Sequence, residues 1–224
     1  AAVQGADVVQ IALTADAAVE AVLPRIYAAR PDVLVVDHST TAVEATGARA
    51  RRLASERMAY LHAPVFMNPV SCRESRGTVV VSGPRALFEL AEPVLTPMTG
   101  KVMYLGEREE AAAAMKLVGN AMIIQTVAAM ADMFSLADAV GIPREQAHAL
   151  LDTVSPAGVV KGRGKRMLEG DLTPYWSLAM ARKDVGLMLE AGGATPMLEA
   201  LAEQMDAVIE ARGGDDDLAV IGAR

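Results

Sequence analysis

The first half of the chain alternates short apolar runs with stretches in which apolar residues recur at helical spacing. The runs are DVVQIAL (Asp7 to Leu13), VLVVDHS (Val33 to Ser39), AYLHAPV (Ala59 to Val65), GTVVVSG (Gly77 to Gly83) and KVMYLG (Lys101 to Gly106). Between them, AAVEAVLPRIYAA and AVEATGARARRLASE carry the period of helices with one apolar face. Continuous apolar strands separated by helices predict a parallel sheet covered on both faces, because a strand buried on both sides has no need of alternating polar residues. The pattern changes near residue 107. From about Glu109 to Val140 the chain lacks proline, is rich in Ala, Met and Leu, and closes at Gly141 and Pro143. At ~1.5 Å per residue this predicts one helix of almost 50 Å. Further helices are predicted from Pro143 through AHALLDTV, over VKGRGKRMLEG, after Ser177 through LAMARKDVGLMLEAG, and from Thr195-Pro196 to Gly213-Gly214. In the last, a capping hydroxyl precedes proline at the first helical position and glycine stops the helix. The reading is therefore an α/β domain over residues 1–107 and an all-α domain over 108–224, entered through the long helix.

Composition excludes more than it identifies. The 224 residues are 52% hydrophobic and 22% charged, a balance that supports a folded core. The net charge of -7 repels phosphate backbones and argues against a nucleic-acid partner. The longest charge-free stretch near the middle, Leu117 to Ala131, is shorter than the ~20 residues of a membrane span, so no transmembrane helix and no membrane partner are expected. A single cysteine, Cys72, leaves no internal disulfide, and the start AAVQGADVVQ has neither the basic nor the apolar segment of a signal peptide, which predicts a cytoplasmic protein. The 13 methionines fit adaptable core packing. Broad apolar surface on several helices of the second half predicts a homodimer or homotetramer assembled through that domain.

Ligands of open parallel sheets bind beyond the carboxyl ends of the strands. Three such ends are polar here: Leu13-Thr14-Ala15-Asp16, Asp37-His38-Ser39-Thr40-Thr41, and His62 to Pro69. Ser39 and Thr40 serve equally well as helix caps, so these loops gain meaning only as a set. On the long helix Lys116 and Asn120 stand four apart and share a face. A lysine there is either functional, with a readily shifted pKa, or a surface group lying along the helix. Lys183-Asp184 on a later helix poses the same choice. No metal site is expected, since His38, His62 and His148 lack ligand spacing. The basic cluster Lys161, Arg163, Lys165 and Arg166 reads as a solvated helix face.

The ordered set DVVQIAL, VDHSTT, HAPVFMNP, GTVVVSG, KLVGN and ARKDVGLMLEAG resembles the β-hydroxyacid dehydrogenase family, over nearly the whole chain. The resemblance implies the C-terminal part of a Rossmann-like parallel-sheet domain followed by an all-α domain. It implies an NAD- or NADP-dependent oxidoreductase that moves a hydride between the cofactor and a small β-hydroxy acid, semialdehyde or related carbonyl substrate. Lys116 matches the family's catalytic lysine, and Asn120 the asparagine that helps hold substrate. Leu13, Thr14 and Thr40 match cofactor contacts, with threonine where the family has proline. Lys183 and Asp184 match a pair whose lysine reaches toward the nicotinamide. Ser39, Met67 and Asn68 fall in loops that face substrate. The chemistry is coherent: hydride addition to a carbonyl builds negative charge on oxygen, which a positioned ammonium stabilises and then protonates.

Two features depart from the family. Its substrate loop reads A-P-V-S-G-G, where serine and glycine bind the substrate carboxylate; here it reads Ala63-Pro64-Val65-Phe66-Met67-Asn68. No G-x-G-x-x-G occurs, and about the first sixty residues of a family member are expected to be missing. The alternative reading is a non-catalytic oligomerisation or binding protein that has lost cofactor binding. A third replaces the carbonyl by an imine, against which the retained Lys116 argues.

Overall fold

The computed structural model describes residues 3–223. Two compact units divide the chain, residues 1–122 and 123–224, and the cut falls inside the long helix, some fifteen residues beyond the change of sequence pattern. The periodicity marks where strands stop; the compact unit also includes the helical turns packed on them.

In the first unit β1 (Val8–Ile11), β2 (Leu34–Asp37) and β3 (Tyr60–His62) form a parallel sheet in sequence order. The crossovers are α1 (Asp16–Ala29) and α2 (Val43–Ser55). Alternate residues of β2 supply opposite faces, as the pleat requires. Val33 and Val35 pack with Val19, Leu23 and Ile26 of α1 and Leu53 of α2. Leu34 and Val36 pack instead with Leu61, Val79, Val81 and, from α4 (Arg85–Leu95), Phe88 and Leu95. Both faces are covered, which accounts for the continuous apolar runs.

The run Ala59 to Val65 does not form one strand. It breaks at Ala63-Pro64 into β3 and the short β4 (Val65–Phe66), after which α3 (Pro69–Arg73) begins. A second sheet orders β4, β5 (Thr78–Val81) and β6 (Lys101–Tyr104), with β4 antiparallel to β5 and β5 parallel to β6. An antiparallel bridge between His62 and Ser82 joins the two sheets. Sequence periodicity does not encode strand direction, so this reversal was not foreseen.

The long helix α5 runs Ala111–Ala139, about 44 Å at ~1.5 Å per residue. In the second unit α6 (Arg144–Ala149) tightens into a 3-10 turn at Leu150–Asp152 instead of continuing. The next helix, α7 (Pro156–Glu169), starts earlier than predicted, because Ser155 caps it by accepting from Gly158 N–H. Ser177 and Thr195 cap α8 (Leu178–Glu190) and α9 (Pro196–Arg212) as their sequence predicts. Leu178, Ala181 and Val185 pack against Ala202, Met205 and Val220. Buried Asp217 gathers the chain end: its carboxylate accepts from the N–H groups of Tyr175, Trp176 and Ala219 and pairs with Arg163 at 3.2 Å. Burial works against that charge, but the three N–H groups and Arg163 outweigh it and hold the carboxyl at about 2.

One expectation needs correction. By length and composition α5 is apolar enough to cross a membrane, with a mean hydropathy of 1.4 over its 18-residue window. A charge-free run is a stricter criterion than an average, which tolerates an occasional charge. The helix also leaves Val118, Ile124 and Val127 each about two-thirds exposed (65–66%).

Candidate active site

The carboxyl ends of β1, β2 and β3 lie side by side, and the loops beyond them are stitched together. Leu13 N–H donates to Ser39 Oγ at 2.9 Å, and Ser39 N–H donates to Asp37 Oδ1 at 2.9 Å. His38 donates from Nδ1 to the Ala63 carbonyl at 2.6 Å, while its Nε2 meets the Gln10 side chain at 2.8 Å. Burial lowers the His38 pKa, which favours the neutral ring. Ser39, with 2% exposure, is thus a tie between loops and not an open substrate contact. Leu13 is half-buried, and Thr14 and Thr40 are exposed along this edge.

Beneath the loops lies a buried ionic cluster that sequence reading missed. Arg49, with 0% side-chain exposure, donates to Asp16 at 2.6 Å and Glu20 at 2.7 Å. Its Nη1 stands 3.4 Å from the Tyr60 hydroxyl and 4.0 Å from Asp37 Oδ2. Tyr60 donates to Asp37 at 2.7 Å, and Asp16 accepts from Ala42 N–H at 2.9 Å. Burial opposes the Asp37 charge; the nearby His62 ring, Ser39 and Tyr60 overcome it and hold the carboxyl at about 2. In the sequence Arg49 is one of three arginines in the run ARARR, and nothing in its local pattern sets it apart from Arg51 and Arg52.

A second group forms where α5 meets the strand beyond β3. Ser82, paired with His62 across the bridge, donates to the Glu109 carbonyl at 2.9 Å and accepts from Ala112 N–H at 2.8 Å. One hydroxyl therefore fixes the first turn of α5 against the end of β3. One turn further, Lys116 Nζ lies 4.3 Å from the centroid of the Phe66 ring. That ring presses on Gly119 so closely that a Cβ there would overlap it. A glycine inside a helix costs ~1 kcal/mol relative to alanine, and this close approach is its reason. Lys116 is partly buried, and burial alone lowers its pKa. Asn120 shares its face and is also partly buried.

Asn68 is exposed, and its Oδ1 caps α3 by accepting from Val70 N–H, Ser71 N–H and Ser71 Oγ. Met67 is partly buried beside Gly77. Lys183 and Asp184 belong to the second unit, where they pair with each other at 2.8 Å and Lys183 stays 62% exposed. No group of three or more metal-ligating side chains occurs among the described residues.

Exposed Thr14 and Thr40 at the carboxyl edge of a parallel sheet fit one end of a dinucleotide. A pyrophosphate turn of the G-x-G-x-x-G type does not occur in the sequence.

Comparison with known proteins agrees with this geometry. Residues 1–106 match the family described as the NAD binding domain of 6-phosphogluconate dehydrogenase. Residues 111–223 match the family described as the NAD-binding domain of NADP-dependent 3-hydroxyisobutyrate dehydrogenase. An L-threonate dehydrogenase of Cupriavidus necator is 30% identical over 203 residues, covering 87% of this chain and 67% of that protein. An L-threonate dehydrogenase of Escherichia coli K12 is 28% identical over 201 residues, covering 86% and 66%. The chain thus spans about two thirds of the length of these relatives. Among solved structures, an imine reductase from Myxococcus stipitatus in complex with NADP+ superposes with a TM-score of 0.89 at 19% identity, covering 98% of this chain and 80% of that one. At that identity the likeness speaks for the fold.

Proposed function

The chain belongs to the β-hydroxyacid dehydrogenase family, whose cofactor is NAD or NADP, and from that premise we propose an oxidoreductase that interconverts a small alcohol and its carbonyl compound, with Lys116 as proton donor and acceptor. The observation that carries this reading is the Lys116 ammonium, partly buried on the face of α5 and set against an aromatic ring. When bound, the nicotinamide cofactor supplies or takes the hydride. The residues of this chain do the rest. Lys116 stabilises the developing oxyanion and transfers the proton to it. Its burial-lowered pKa makes that transfer easier than from a fully solvated lysine. Asn120, with one donor and one acceptor, orients the same substrate. Leu13, Thr14 and Thr40 would line the cofactor on the strand-end edge, which Ser39 and His38 hold rigid. Lys183 and Asp184 are assigned to the cofactor as well. The assembly is a soluble, cytoplasmic homodimer or homotetramer in which the exposed apolar middle of α5 packs between subunits, since leaving such residues in water forfeits ~25 cal/mol per Å2.

Lys116→Ala in the complete protein is the test. A proton donor contributes about 100-fold or more, so carbonyl reduction should fall by at least that factor while calorimetric titration with NADH or NADPH gives an unchanged Kd. Turnover within threefold of the parent would end the assignment, and absence of nucleotide binding by the folded, complete protein would favour the non-catalytic alternative.

A further inference from the structure

The substrate class of this site is written in the residue beside Lys116. Beyond β3 the chain places Phe66 over Lys116 and flat enough on α5 that only glycine fits at position 119. The ring therefore occupies the helix surface between Lys116 and Asn120, next to the atom that protonates the substrate. An aromatic face carries negative quadrupole density: it attracts an ammonium and repels a carboxylate. A carboxylate taken from water also needs several donors. The two side chains that follow Phe66 do not provide them. Met67 is apolar, and the Asn68 oxygen faces its own helix, held by three donors. Lys116 itself cannot serve both the carbonyl oxygen and a carboxylate. An alkyl or aryl substituent, by contrast, buries apolar surface against Phe66 and Met67.

We propose that Phe66 is a specificity-determining residue, and that it directs this site to uncharged aldehydes or ketones bearing an apolar substituent and away from substrates with a carboxylate near the carbonyl. The inference rests on the oxidoreductase reading above. With the hydride that NADH or NADPH would supply added at the carbonyl carbon, the carbonyl π-bond pair moves to oxygen and Lys116 donates the proton to it.

The experiment uses a matched pair, pentanal and succinate semialdehyde, which differ chiefly in an ethyl group against a carboxylate. Initial rates of NADH or NADPH oxidation by the complete protein give kcat/KM for each. Pentanal is expected to be preferred at least tenfold, mainly through KM, and Phe66→Ser should reduce that preference at least tenfold while Phe66→Leu, still apolar, retains most of it. A second readout avoids turnover: calorimetric binding of the alcohol products, 1-pentanol and 4-hydroxybutanoate, should show the same order and the same change in Phe66→Ser. Preference for the semialdehyde, or a preference untouched by Phe66→Ser, overturns the proposal while leaving the oxidoreductase reading standing. If neither aldehyde is reduced and no nucleotide binds, the oxidoreductase reading itself fails, and this inference with it.

Discussion

Arg49 offers the sharpest test of how the fold holds its ligand-facing edge. Replacing it with methionine keeps the aliphatic stem and removes the guanidinium. Two of its partners, Asp16 and Glu20, are 33% and 46% exposed, so each of those pairs contributes only ~0–1 kcal/mol. The larger cost falls on Asp37, with 0% exposure, which would keep Tyr60 and Ser39 but lose the cation 4.0 Å away. Removing one partner from a buried ion pair costs ~3–5 kcal/mol, and the two remaining hydrogen bonds place this case near the lower end. Against a total stability of ~5–15 kcal/mol the loss is large. With a urea m-value of ~1–3 kcal/mol per M, the midpoint should fall by about 1–3 M at pH 7. The effect should also shrink in acid. Asp37 in the parent, held at about 2, stabilises the fold above the ordinary carboxylate value of 3.8 and loses that contribution as pH falls through 2. Loss of the cation 4.0 Å away raises its folded pKa, so the gap between parent and variant should narrow as pH falls from 4 and close near pH 2. Arg49→Lys should lose an intermediate amount, because an ammonium cannot bridge Asp16, Glu20 and Tyr60 together. A urea midpoint within 0.3 M of the parent (roughly 0.3–0.9 kcal/mol at that m-value), or a gap independent of pH, would refute the view that Arg49 neutralises the buried carboxylate.

Two further outcomes follow from the second unit and its surface. Asp217 is fully buried and held at about 2 against the ordinary carboxylate value of 3.8, so it contributes about 2 kcal/mol that is present above pH 4 and lost as pH falls through 2; Asp217→Asn should lower the melting temperature at pH 7 and have little effect near pH 2, as differential scanning calorimetry would show. Light scattering of the complete protein should give a dimer or tetramer, and Val118→Glu with Ile124→Glu, both exposed in the middle of α5, should shift it toward monomer without changing its circular dichroism; an oligomer indifferent to both charges would place the interface elsewhere.

Much of this was legible in residue patterns, and the exceptions have physical causes. Helix starts were read from capping residues at Ser177 and Thr195, because capping is local chemistry, while the same signal at Ser155-Pro156 was passed over and that helix begins four residues before the predicted start. The strands were readable because VLVV and TVVV are buried on both faces. The reversal at β4 was not, since the bend at Ala63-Pro64 is decided by pairing with a strand some fifteen residues on. Lys116 and Asn120 were visible as a spaced pair, and Phe66 as a departure from the family loop. That Phe66 would lie on Lys116 had one local signal, Gly119 in the middle of a helix, which fits a close approach. Arg49 offered almost none: a buried arginine and a solvated one have the same letter, and only long-range partners at Asp16, Glu20 and Asp37 tell them apart.

Ser82, its hydroxyl bonded at once to Glu109 and Ala112 and its backbone bridged to His62, gives the end of β3, four residues before Phe66, and the helix bearing Lys116 a common origin. From there the lever arms are short: Lys116 is four residues along the helix from Ala112, ~6 Å at 1.5 Å per residue. A tilt of about 5° about that point displaces the Lys116 backbone by only about 0.5 Å, comparable to the tolerance of a productive catalytic geometry. Precision here comes from where the joint lies and not from the stiffness of everything around it.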